Sequence, residues 1–113
     1  MKDLIDSIRQ FSAEREWQTF HSPKNLSMAL SIEASEIMEH FQWLTCEQSQ
    51  NLPEKKRRQV TEEIGDVMIY LTNLSDKLGV DPVEAAKEKL EKAKLRYPVE
   101  KAKGVASKYN DFD

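Results

Sequence analysis

A single cysteine, Cys46, stands among 113 residues. A disulfide within the chain and a zinc site built from cysteines are both excluded, and a reducing cytoplasm is the expected setting. Glycine is scarce, at three residues. No segment sustains the alternation of a half-buried strand, so a sheet architecture is not expected. No apolar run approaches the roughly 20 residues of a membrane helix. The start, Met1-Lys-Asp-Leu-Ile-Asp6, turns polar at once, unlike a signal peptide. Excess positive charge is absent too. Seventeen basic against 20 acidic residues give a net charge of −3, so neither nucleic acid nor an anionic membrane is an expected partner. No internal repeat or low-complexity tract occurs.

What is present is a helical vocabulary rich in Lys, Glu, Leu and Ala. The length suits one domain, 1–113, with 99–113 as a C-terminal tail. Leu4, Ile8 and Phe11 predict a first helix over 2–16. A loop, 17–24, carries Trp17, Phe20, His21 and Pro23. The second helix is expected from Asn25, as N-cap, to about Leu44. After a polar separator, 45–53, a third helix runs from Pro53 or Glu54 to Leu78, with Gly79 as its left-handed terminator. Asp81, Pro82 and Glu84 mark the start of a fourth helix, which runs to about Arg96 before Pro98. The class is all-α.

Two patterns stand out: Glu33-Ala-Ser-Glu36 and Glu63-Ile-Gly-Asp66. At about 100° per residue, Glu33 falls inside the stripe of Leu26, Ala29, Leu30, Ile37 and Phe41, with Glu36 at its edge. Val60, Val67, Leu71, Leu74 and Leu78 likewise flank Glu63 and Asp66. If the stripes pack, the pairs meet. Four clustered anions repel and raise one another's pKa unless a cation compensates. Oxygen-only donors favour Mg²⁺, Mn²⁺ or Ca²⁺ over zinc, and Mg²⁺ commonly recruits phosphate oxygens. A single Glu pair three residues apart is usually solvated surface, and an interhelical network with Lys and Arg is the structural alternative. Seven and ten residues beyond each first carboxylate lie His40 and Trp43, and Tyr70 and Asn73.

The paired carboxylates resemble the signature of MazG-like nucleotide pyrophosphohydrolases, the all-α NTP pyrophosphatases. Further resemblance lies in Arg15-Glu-Trp17 through Leu26, Phe41-Gln-Trp43, Asp66 to Leu71, Lys89 to Lys92, Arg96-Tyr97-Pro98 through Gly104, and Lys108-Tyr109. It is similar above all to the short branch that includes the dCTP pyrophosphatases. One position departs: where that branch commonly carries Asn, four residues before the Tyr-Pro pair, this chain has Ala93. The resemblance implies a four-helix bundle assembling as a dimer or dimer of dimers. It also implies hydrolysis of a nucleoside triphosphate to the monophosphate and pyrophosphate, with Glu33, Glu36, Glu63 and Asp66 as Mg²⁺ ligands. Ala93 leaves the base preference open.

Such a reaction needs charge neutralisation and an aligned water, and Glu33 or Glu36 is placed to accept the water's proton. Trp17, Phe20, Trp43 and Tyr70 are candidates to stack on a base, and His21 to bond the base or sugar. Lys24 and the face formed by Lys89, Lys92 and Arg96 are candidates for the triphosphate. The run Lys55-Lys-Arg-Arg58 reads as a solvated helix start, because no aromatic interleaves it. The competing expectations are a non-catalytic helical assembly protein and a pyrophosphohydrolase of the same fold with a different nucleotide substrate.

Overall fold

The computed structural model describes residues 2–104; Lys108-Tyr109 and most of the expected tail lie outside that range. The described residues are helical and contain no strand. The helices are α1 (Lys2–Glu14), α2 (Pro23–Phe41), α3 (Cys46–Ser49), α4 (Glu54–Lys77), α5 (Pro82–Arg96) and α6 (Val99–Ala102), with a 3₁₀ turn at Gln18–Phe20. The chain divides into two compact units, the first ending at Val80 and the second beginning at Asp81.

In the first unit, α2 packs chiefly on α4, and α1 packs on α4 as well. Lys56 near the start of α4 reaches His40 near the end of α2, so the two helices run antiparallel. Leu26 is 2% exposed and Val60 and Ile8 are nearly as deeply buried. Burial of a leucine of this kind stabilises by about 1.5–3 kcal/mol. Arg9 on α1 clasps both carboxylate oxygens of Asp76 on α4. Bidentate pairing of this kind fixes geometry as well as charge.

Several boundaries differ from the sequence reading. Helix α1 stops at Glu14 rather than Glu16, because Glu16 turns left-handed at φ 55°. The N-cap of α2 is Ser22, not Asn25: its hydroxyl accepts from Asn25 N at 3.1 Å, and Pro23 takes the first helical position. A proline's fixed φ and missing N–H suit that position. Asn25 instead donates to Phe20 O, tying the helix to the preceding turn. Helix α2 also ends at Phe41, three residues before Leu44. The separator holds α3, closed by a Thr45–Gln48 capping box. Asp81 caps α5 as expected, accepting from Val83 N and Glu84 N, and Gly79 adopts φ 68°.

The buried face of α4 also differs. Leu71 and Leu78, expected in the core, are exposed, while Thr72 and Ser75 are buried. Each hydroxyl donates to the carbonyl four residues back, Thr72 to Met68 and Ser75 to Leu71. A polar side chain satisfied by its own helix can sit inside at little cost.

In the second unit, α5 is capped at its start by Asp81 and closed where Tyr97 N donates to Ala93 O. Val83, Leu90 and Leu95 are exposed along it.

Candidate active site

Antiparallel packing of α2 on α4 brings the two acidic motifs together. One carboxylate oxygen from each of Glu33, Glu36 and Glu63 lies within 4.8 Å of the others, and all three side chains are half-buried. Asp66, one turn beyond Glu63, is exposed and lies outside this triad, yet its charge still acts on Glu33 and Glu63. Burial first, then hydrogen bonding to Glu36 and the charges of Glu36, Asp66 and Glu63, push the Glu33 carboxyl from 4.5 up to about 7. Glu63 is pushed up as well, first by hydrogen bonding to Glu36 and then by burial, with His40 opposing.

Two atoms decide whether these residues suit a cation. Glu33 Oε2 and Glu63 Oε2 are buried and have no hydrogen-bond partner. An orphaned buried carboxylate oxygen is costly unless a positive charge meets it. His40 Nε2 lies 3.8 Å from Glu63 Oε1. An all-oxygen donor set with anions to neutralise fits a hard divalent cation.

Next to Asp66, α1 and α4 flank an open cavity of about 410 Å³. Leu4, Ile8, Phe11 and Ile69 give it apolar walls, and Asp66, Tyr70 and Asn73 line it from α4. Trp17 and His21 enter from the loop between α1 and α2. Trp17 meets Phe11 edge-on at 5.5 Å and His21 at 6.4 Å, while the Arg15 guanidinium covers the other ring, Phe11, at 3.8 Å. Burial and then Lys77 hold the His21 imidazole below its usual pKa, favouring the neutral ring.

The sequence-predicted residues therefore divide. Trp17, His21, Asp66 and Tyr70 share one cavity, and Glu33, Glu36 and Glu63 share one cluster. Trp43 is 85% exposed just beyond α2 and, like Phe20 and Lys24, does not line the cavity. Lys89, Lys92 and Arg96 are exposed on α5, in the second unit. The sequence reading left α1 out of the site. Leu4, Ile8 and Phe11 mark a helix by their spacing, and only pairing with α4 turns that stripe into a cavity wall.

Comparison with known proteins gives a consistent picture. Residues 28–112 match the MazG-like family. The dCTP pyrophosphatase 1 of Mus musculus is 41% identical over 114 residues, covering 99% of this chain and 67% of the mouse protein. That of Homo sapiens is 38% identical with the same coverage. The crystal structure of a pyrophosphatase from Archaeoglobus fulgidus superposes with a TM-score of 0.83 at 41% identity, covering 87% of this chain and 92% of that one. The chain belongs to the MazG-like family.

Proposed function

We propose that this chain hydrolyses a nucleoside triphosphate to the monophosphate and pyrophosphate, that it requires Mg²⁺, and that it favours a pyrimidine deoxynucleotide such as dCTP, in a cytoplasmic role of clearing the nucleotide pool. The nucleoside triphosphate pyrophosphohydrolase activity rests on family membership and on relatives that are dCTP pyrophosphatases. The metal requirement rests on one observation above all, the two orphaned buried oxygens Glu33 Oε2 and Glu63 Oε2.

Glu33, Glu36 and Glu63 would hold the cation, with Asp66 completing the set. Bound there, Mg²⁺ neutralises phosphate charge and makes a water more acidic. Mn²⁺ offers the same coordination preferences. Glu33 or Glu36 accepts the proton of the attacking water. The apolar cavity receives the base, with Trp17 and Tyr70 providing aromatic faces and His21 a neutral hydrogen-bonding ring. Lys24, Lys89, Lys92 and Arg96 are the cations assigned to the triphosphate, and Trp43 is assigned as a further stacking face for the base.

A homodimer or dimer of dimers accounts for the apolar surface. Ile64, Met68 and Leu71 form an exposed stripe on α4, and Met28 and Ile32 are exposed on α2. Contiguous apolar surface of this kind marks an interaction face. A panel of NTPs and dNTPs, assayed for pyrophosphate with and without Mg²⁺, tests the reading, with light scattering for the assembly. Release of pyrophosphate from no member of the panel would sink it.

A further inference from the structure

On α4, Glu63, Asp66, Tyr70 and Asn73 follow one another at spacings of three, four and three residues, so they share one face. Tyr70 and Asn73 both line the cavity, and Asp66 does so at its carboxylate end. From Asp66 to Asn73 the helix rises about 10 Å, comparable to the distance from the phosphate end of a nucleotide to the pairing edge of its base. A nucleotide with its phosphates at the carboxylates and its ring in the cavity thus brings that edge to Asn73.

Asn73 is chemically free for the task. Its amide is half-buried and makes no hydrogen bond with any described residue. A smaller cavity of about 180 Å³ lies behind it, sharing Ser12, His21 and Asn73 with the larger one. Of the charged groups there, Arg9 and Asp76 satisfy each other, and Lys77 stands beside them. The amide carries two N–H donors and one carbonyl acceptor. Leaving these half-buried and unpaired costs free energy unless something polar arrives.

We propose that Asn73 reads the base: Oδ1 accepts from the 4-amino group of cytosine while Nδ2 donates to ring N3. This rests on the functional reading above. It assigns specificity to a residue outside the carboxylate set and outside the aromatic faces. Sites built to bond a polar group reject analogues lacking it far more strongly than apolar pockets reject a size change.

The test compares kcat/KM for dCTP and for the analogue in which hydrogen replaces the 4-amino group. The unsubstituted chain should prefer dCTP by about 10- to 100-fold. Asn73→Ala should bring the ratio close to one, mainly through KM for dCTP, with an unaltered Mg²⁺ requirement. Asn73→Leu, which keeps the side-chain size, should do the same and guards against a collapsed cavity. A dCTP preference retained in both variants overturns the assignment alone. Absence of hydrolysis of every triphosphate by the unsubstituted chain overturns the functional reading, and this assignment with it.

Discussion

His40 Nε2 stands 3.8 Å from Glu63 Oε1, while Lys56 Nζ stands 3.3 Å from His40 Nδ1. One imidazole thus lies between a candidate metal ligand and a lysine, spanning the α2–α4 interface. Groups behind a ligand commonly orient it, and their loss typically costs about 10- to 100-fold in metal affinity. His40→Leu should weaken Mg²⁺ binding by that order. The measurement is the Mg²⁺ concentration that half-saturates the rise in melting temperature.

Glu33→Gln should reduce kcat by about 100-fold or more, since it removes both a donor to the cation and a candidate proton acceptor. The same substitution should leave the metal-free protein as stable or more so, because it relieves repulsion among Glu33, Glu36 and Glu63. Parallel assays of rate and thermal melting without metal decide the point. A variant that loses activity only by unfolding would contradict it.

The elevated Glu33 carboxyl has a consequence for pH. Its folded-state pKa of about 7 exceeds the ordinary 4.5, so between those values the folded protein holds more protons than the unfolded chain. Metal-free stability should therefore fall as pH rises through that window. Mg²⁺ should restore stability most at the upper end, where the carboxylate is charged. Melting curves across the window, with and without Mg²⁺, should converge at acidic pH.

Asp76 behaves in the opposite sense. Hydrogen bonding to Arg9, and then its charge, hold the carboxyl below 3.8 against the opposing effect of burial. Its contribution is fully present above 3.8 and is lost as pH falls through the depressed folded value. Asp76→Asn should melt lower than the parent at neutral pH, with the gap closing in acid.

Leu26→Ala tests the core. Leu26 is 2% exposed, and buried Leu→Ala changes cost about 2–5 kcal/mol. Urea denaturation should show a loss in that range, a large fraction of the stability of a small domain.

Much of this protein was legible because it is local. Asp81 with Pro82 starts α5, and Gly79 at φ 68° follows the end of α4, since caps and left-handed turns depend on adjacent residues. Thr45 and Gln48 had the same local signal for α3, a capping box. Thr72 and Ser75 escaped notice because residue type says polar, while their hydroxyls bond inside their own helix.

The acidic pairs mark the boundary between sequence and structure. Their spacing alone placed each on the flank of a core-facing stripe, because helical periodicity is a property of one segment. Only packing decided that Glu33, Glu36 and Glu63 converge within 4.8 Å while Asp66 turns toward the cavity. Packing likewise made Leu4, Ile8 and Phe11 the wall facing Tyr70 and Asn73 rather than closed core. The sequence by itself determined the four long helices, the Asp81 cap of α5 and the charge each helix carries. The tertiary structure decided which faces meet, because a distance between two helices is fixed by how their side chains interlock and is written in neither helix alone.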